Sequence, residues 1–363
     1  MIVKSVSLKN YLSYPTLTVA FDEGINVLTG QNAVGKTNLA ESIYYASVGK
    51  SARGLKDKEL LRWDGENNAE IHLTVQKKYA RHTVDIDIDK QGKKRIMIDK
   101  IPIAKMGELM GAVYVVYFSP GEMRLIKESP ADRRRFVDIS LCQQDKTYFY
   151  SLVRYNQLLA QRNKLLKEYY NSSSLKPMSD IIVEKMCKEE EFIMKKRRAF
   201  LERLAPVADE KHYLLSGGKE RLELGYETEE VDEKDVQGSL RALYEKSYEK
   251  DSRLSYTTVG IHRDDLKIVA GGIDVRKFGS QGQQRTAALS MKLAEVQLFH
   301  DASGEYPVLI LDDVMSELDE QRQRALFASL SGIQTIVTCT SFDRDIAPGA
   351  TVYEIKNRMI KKL

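Results

Sequence analysis

Cysteine is scarce in this chain. Cys142, Cys187 and Cys339 are the only three among 363 residues, and they lie far apart. Neither a disulfide framework nor a paired metal site follows from such a set, so free thiols in a reducing cytosol are expected. No Cys/His spacing supports zinc, and no Ser-His-Asp arrangement is evident. Long apolar runs are missing too. The longest, such as residues 112–118, fall well short of a bilayer's thickness. The start, Met1 to Leu8, alternates like a strand and lacks the apolar block of a secretion signal. A cytoplasmic protein with no membrane contact is expected. A strong charge of one sign is also absent. The formal net charge is +4, so only local patches can speak for nucleic acid.

The length allows a sizeable core and two or three compact units. Residues 2–9 and 16–21 alternate as half-buried strands do, and 25–28 is a short strand before a glycine-rich turn. A helix follows with Leu39, Ile43 and Ala46 on one face. Strands are predicted at 69–77, 82–88, 95–98 and within 112–118. From about Asp132 to Tyr170 there is neither Pro nor Gly. Tyr148, Tyr155 and Tyr169 share a seven-residue comb with Arg162, and Leu152, Leu159 and Leu166 form a second comb. Together they make a helical stripe. Residues 171–177 break it. A second helix runs to about Leu204, carrying Met186, Ile193 and Phe200, so the pair forms an antiparallel hairpin. Strands near 220–226, 253–258 and 265–269 and a helix at 234–250 come next. The chain then gives a helix at 281–299, a strand at 307–311, a helix at 319–330 and a strand at 333–338. The layout predicts an α/β ATPase head in two sequence halves, 1–120 and 218–363, with a helical lobe at 121–217.

Gly30-Gln31-Asn32-Ala33-Val34-Gly35-Lys36-Thr37 fits G-x-x-x-x-G-K-[ST], with a strand before it and a helix after. Such glycines let backbone N–H groups turn inward around phosphate oxygens, and the helix start adds to the attraction. ATP is the expected ligand, cradled by residues 30–37 and Asn38. Lys36 is placed at the β- and γ-phosphates, and the Thr37 hydroxyl on Mg²⁺. A second acidic element matches this loop. Val308 to Leu311 is an apolar strand ending in Asp312 and Asp313. A strand of that kind sits inside a parallel sheet, with its end at the nucleotide crevice. Asp312 is assigned to Mg²⁺, and Asp313 to orienting or deprotonating the attacking water. Ser316 to Asp319 taken alone is a helix-capping pattern. Ser280, Gly282 and Gln283 open a long helix, either as an ordinary cap or as a second anion site.

Phosphate loop, helical insertion, serine-glycine loop, acidic strand end and Ser-Glu-Leu-Asp stand in sequence order. That order resembles the ATP-binding-cassette ATPases, in the branch of SMC and Rad50. Gly30 to Tyr44, Ser129 to Phe136, Gly260 to Asp265, Ser280 to Arg285 and Leu311 to Asp319 are similar to the bacterial RecF family, across nearly the whole chain. The resemblance implies a mixed sheet around the phosphate loop and an ATP-dependent homodimer closed head to tail. Ser280, Gly282 and Gln283 of one copy would contact nucleotide held by Lys36 of the other, with Asp319 at the same seam. It implies binding to gapped, junction or duplex DNA, loading of RecA with RecO and RecR, and weak DNA-stimulated hydrolysis acting as a release switch. Asp313 stands where many cassette ATPases carry Glu, which suits slow turnover. Thr340 replaces the switch histidine of transporters, and Ile261 stands where Pro is expected. An ATPase subunit of another DNA or membrane system, and a scaffold acting through protein partners, are the competing functions.

Candidate DNA contacts are Lys50, Arg53, Lys56 and Arg133-Arg134-Arg135, with a further basic run at 195–198. Arg53 leads because it follows the phosphate-loop helix on the expected dimer face. Each cluster is alternatively a solvated face, and Arg133 to Arg135 could equally pair with acids in the core. His262-Arg263-Asp264-Asp265 is either a structural or a metal-like cluster. At ~1.5 Å per residue the hairpin reaches only about 50 Å, too short for an SMC arm.

Overall fold

The computed structural model describes residues 1–65, 68–169 and 172–363. Of the expected hairpin break, Asn171 lies outside the described residues.

The chain opens with an antiparallel hairpin, β1 (Ile2–Tyr11) and β2 (Tyr14–Ala20), whose alternating burial matches its alternating sequence. Strand β3 (Ile25–Thr29) leads to α1 (Lys36–Val48). An antiparallel run follows: β4 (Asn68–Gln76), β5 (Arg81–Asp89), β6 (Lys94–Ile98) and β7 (Ile101–Pro102). These strands join the first hairpin in a sheet ordered β2-β1-β4-β5-β6-β7. The second sheet has the order β15-β14-β3-β13-β12-β8. It contains β8 (Val115–Phe118), β12 (Val308–Asp312), β13 (Thr335–Cys339), β14 (Thr351–Lys356) and β15 (Met359–Lys362). All its pairings are parallel except the β14–β15 edge. Every residue of β12 and β13 is buried, and apart from Asp312 at the end of β12 both strands are continuous apolar or hydroxyl runs.

Between the halves lie α2 (Arg124–Lys127), α3 (Pro130–Gln144), α4 (Lys146–Glu168) and α5 (Leu175–Leu215). The single stripe expected over 132–170 is two helices. Asp145 divides them by capping the second, accepting from the N–H groups of Thr147 and Tyr148 at 2.8 and 3.2 Å. Tyr148, Tyr155 and Arg162 are buried, whereas Tyr169 at the helix end is exposed. Helix α5 continues through Pro206, well past the expected end at Leu204. Met186, Ile193 and Phe200 lie on its buried face.

After α5 come β9 (Leu222–Glu227), α6 (Val236–Leu254), β10 (Asp265–Ala270), β11 (Ile273–Asp274) and α7 (Val275–Phe278). Strands β9, β10 and β11 form a small sheet of their own. Helix α6 packs on α4 and α5, and β10 on α3. This segment, placed with the ATPase half by the sequence division, therefore packs with the helical insertion. The strand expected at 253–258 is a turn. Ser255 adopts a left-handed cap at φ 58°, and Thr257 and Thr258 bond to Asn163 and Asp251 instead of a ladder. Helix α8 (Gln281–Ser303) packs on α5, and α9 (Glu320–Ala328) precedes β13.

Candidate nucleotide-binding site

The site forms where β3, β12 and β13 end. At Gly30 φ is +147°, and a Cβ there would lie 2.4 Å from the Ile355 carbonyl oxygen. At Gly35 φ is +109°, and a Cβ would lie 2.7 Å from both Ser13 Oγ and Tyr14 OH. Only glycine fits either place. The tip of the β1–β2 hairpin thus presses on the loop, and Asn38 Nδ2 donates to Ser13 Oγ at 2.9 Å. Lys36 folds back over the loop, donating to the carbonyls of Gly30 and Gln31 at 2.7 and 2.8 Å. Burial lowers its pKa, against the pull of Asp313, Cys339 and Asp312. An anion in the cradle would reverse that shift.

Asp312 ends β12 next to Thr338 of β13 in the parallel register. It is buried, and hydroxyls answer both its oxygens. Thr37 and Thr338 donate to Oδ1 at 2.9 and 2.6 Å, and Tyr117 donates to Oδ2 at 2.6 Å. The phosphate loop and the acidic strand end, 275 residues apart, therefore meet as expected. Thr37 and Asp312 offer hard oxygens, a donor set that suits Mg²⁺ completed by phosphate and water. Asp313 is exposed, in a left-handed conformation at φ 56°. Its N–H is held by the Thr338 carbonyl and hydroxyl at 3.2 and 3.0 Å.

Ser280 caps α8, its Oγ accepting from Gln283 N–H at 3.2 Å while Gln283 Oε1 accepts from Ser280 N–H at 2.9 Å. That is a reciprocal capping box. Gln283 also donates to Glu220 at 2.9 Å. Ser280 itself is exposed. Asp319 caps α9 by accepting from Arg322 N–H at 2.9 Å. Arg322 Nη1 lies 3.3 Å from Asp319 and 3.6 Å from where a Cβ on Gly282 would be. Arg285 pairs with Glu317. The serine-glycine loop and the Ser316–Asp319 turn are thus neighbours in one chain.

Tyr117 and Thr338 were not foreseen. Burial and the Asp312 carboxylate push the Tyr117 pKa well up, so its hydroxyl keeps its proton. Only sheet adjacency, β12 beside β8 and β13, reveals either residue.

The basic candidates divide sharply. Arg133 is buried, bonded to Asp265 at 2.5 and 2.9 Å and to the Glu128 carbonyl at 3.1 Å. It is withdrawn as a DNA contact, because a guanidinium enclosed by protein partners cannot reach a phosphate. Arg53 Nε donates to the buried Glu41 at 2.7 Å, and Nη2 to Asn38 at 3.0 Å. Its first role is to tie the segment after α1 to that helix. Arg134 donates to the Asp264 carbonyl at 2.6 Å. Lys50, Lys56 and Arg135 are exposed and carry no ion pair among the described residues. In the run at 195–198, Arg197 is buried between Asp138 and Asp264. His262 is structural: Nε2 donates to the Thr257 carbonyl at 3.1 Å, and Tyr155 OH donates to Nδ1 at 2.8 Å. Burial lowers its pKa to about 4. Among the described residues no cluster of His, Cys, Asp and Glu could hold a metal ion, and no helix is long and apolar enough to cross a membrane.

A family model described as the RecF/RecN/SMC N terminal domain matches residues 2–356. The DNA replication and repair protein RecF of Clostridium botulinum (strain Loch Maree / Type A3) is 40% identical over 367 residues, covering 100% of both chains. RecF of Agathobacter rectalis is 43% identical over 343 residues, 94% of this chain and 93% of that one. A solved structure of the recombination mediator protein RecF-ATP in the RecFOR pathway superposes with TM-score 0.91 at 34% identity, covering 99% of this chain and 97% of the other. The Smc head bound to the C-winged helix domain of ScpA shares the fold, with TM-score 0.59 at 15% identity and coverage of 100% and 97%. Fold and site together define the head of an ATP-binding-cassette ATPase of the SMC type. Within that class, the chain belongs to the RecF family.

Proposed function

We propose that this chain is an ATP-gated DNA-binding protein of recombinational repair and replication-fork restart. Two copies close head to tail around ATP, and slow hydrolysis releases them. The observation that carries the reading is the pairing of Thr37 with Asp312 at 2.9 Å, which completes one half of a nucleotide site, while exposed Ser280 starts a helix elsewhere on the same chain. Backbone N–H groups of residues 30–37 and the Lys36 ammonium bind the phosphates. Thr37 and Asp312 would hold Mg²⁺, which when bound neutralises phosphate charge. Asp313 positions water, and a side chain one carbon shorter than Glu suits slow turnover. Ser280, Gly282 and Gln283 of the second copy approach the γ-phosphate, with Asp319 at the seam. Ligand bound only in the closed pair drives association by its differential affinity.

The DNA role is supported by the names of the relatives, and Lys50, Lys56 and Arg135, exposed and without an ion pair among the described residues, suit phosphate contact. RecO and RecR are inferred as partners from the pathway named for the solved relative, and a DNA substrate suits a cytoplasmic protein. The test is light scattering with Mg·ATP, beside ATPase assays with and without gapped DNA. A doubled mass and stimulated turnover are expected. A constant monomer mass at saturating Mg·ATP would sink the proposal.

A further inference from the structure

The chain has one tryptophan, Trp63, and it is 89% exposed. An indole carries one of the largest apolar surfaces of any side chain, so leaving it in water forgoes much burial energy. The backbone beneath it is nevertheless pinned. Leu61 bridges to Tyr11, Arg62 N–H donates to the Asn10 carbonyl at 2.9 Å, and Gly65 N–H donates to the Arg62 carbonyl at 3.1 Å. The ring is therefore offered from a fixed turn at the rim of the antiparallel sheet.

Lysines share this rim. Lys56 and Lys58 lie on the short turn just before Trp63, and Lys90 and Lys93 on the β5–β6 turn. The two turns touch, since a Cβ on Gly92 would lie 3.2 Å from Lys58 N. With strands about 4.8 Å apart, the rim from β1 to β5 is roughly 10 Å wide. All four lysines are exposed, and none has an ion pair among the described residues. Of the four neighbouring acids, two are in ion pairs and two accept backbone N–H groups. Asp57 pairs with Lys94 at 3.0 Å, Asp64 with Arg62 at 2.6 Å, Glu59 accepts from Lys56 N–H at 2.7 Å, and Asp89 caps its own turn at 2.8 and 2.9 Å. Among the described residues of these two turns, the four unpaired lysines outnumber the two unpaired carboxylates, Glu59 and Asp89, beside an exposed aromatic face.

We propose that this rim is a single-stranded DNA platform, in which Trp63 stacks on an unpaired base while Lys56, Lys58, Lys90 and Lys93 hold the flanking phosphates. The proposal rests on the DNA-binding reading above and supplies a site that reading lacks. Stacking needs a base face, which a duplex hides and a gap exposes. Protein interfaces favour tryptophan but are depleted in lysine, so a lysine-ringed indole suits a polyanion better than another protein.

The sole tryptophan makes the test direct. The full chain is titrated with a 12-nucleotide oligo-dT at low salt. Trp63 emission, excited at 295 nm, is followed beside the anisotropy of the labelled oligonucleotide. The expected result is saturable quenching that tracks anisotropy, with little quenching by a blunt duplex. Trp63→Ala should weaken oligo-dT binding on the order of tenfold or more, and Trp63→Phe should recover most of it. Lys90→Ser with Lys93→Ser should shallow the log-log salt slope by about 1.4. Oligo-dT binding with unchanged emission and unchanged Trp63→Ala affinity would overturn the platform while leaving the function intact. Equal quenching by the blunt duplex would also overturn it. So would complete quenching by Mg·ATP alone, because the indole would then belong to the nucleotide base. Absence of oligonucleotide binding in every nucleotide state would overturn platform and function together.

Discussion

The two glycine-bearing loops differ in how far each is finished within one chain. At the helix end of the phosphate loop, three consecutive side chains already have partners, although Gln31, Asn32 and Ala33 at its tip are exposed. Lys36 bonds to two loop carbonyls, Thr37 to Asp312, and Asn38 to Ser13. Around Ser280 the capping box satisfies the helix start, yet Ser280 and Gln281 remain exposed and Phe278 is 73% exposed. The proposed shared cage would take the first loop from one copy and the second from its partner. A similar contrast separates two buried carboxylates. Asp312 has hydroxyl donors on both oxygens. Glu190 accepts from Ile261 N–H at 2.9 Å through one oxygen, and the Tyr244 and Tyr155 hydroxyls face it without a bond to Oε2 that meets hydrogen-bond geometry. Burial, helped by the Asp264 charge and opposed by that N–H and the two tyrosine hydroxyls, raises the Glu190 pKa to about 7.

The largest expected effect comes from breaking the finished loop. Lys36→Ala should abolish the ATP-induced dimer altogether, because a cation on the phosphates is lost. Light scattering that still shows the dimer would refute this. Breaking the open loop should act differently. Ser280→Arg should leave monomer affinity for fluorescent ATP within about twofold yet prevent dimer formation. A mutant monomer unable to bind ATP would instead place Ser280 in its own chain's site.

Glu190→Gln sharpens the carboxylate contrast. Folded Glu190 holds its proton up to about pH 7, whereas the unfolded group loses it near 4.5, so stability falls as pH rises between those values. Urea melts should therefore show Glu190→Gln gaining on the parent above pH 7, by on the order of 2–3 kcal/mol, with the gain gone near pH 4.5. His262 slopes the opposite way between about 4 and 6.5 but is common to both proteins. A gain independent of pH would contradict the assignment. Tyr117→Phe should cost about 1–3 kcal/mol, because Asp312 loses a buried donor. An unchanged urea midpoint would show that the hydroxyl is dispensable.

What the sequence disclosed was local. The strand–loop–helix at 25–48, Asp312 at a strand end and Ser280 at a helix start each announce themselves within a few residues. The meeting of Thr37 with Asp312 followed from motif pairing and is present at 2.9 Å. Tyr117 and Thr338 stayed hidden because their roles depend on the order β3-β13-β12-β8, which no local pattern encodes. Arg133 stayed open between a DNA contact and a core pair for the same reason. Its neutralising Asp265 lies 132 residues away, so local sequence could not choose between the two. The β14–β15 hairpin went unread, since its short, charged strands are recognisable only as an edge of the finished sheet.

Crossed complementation tests most directly whether two copies share each nucleotide. Lys36→Ala and Ser280→Arg chains should each remain monomeric with Mg·ATP. Mixed together, they can form a pair in which one cage joins an intact Lys36 to an intact Ser280, while the other cage carries both lesions. Light scattering of the equimolar mixture should therefore show ATP-dependent dimers that neither variant forms alone. A mixture that stays monomeric at saturating Mg·ATP, while the parent chain dimerises, would contradict a cage built from both copies.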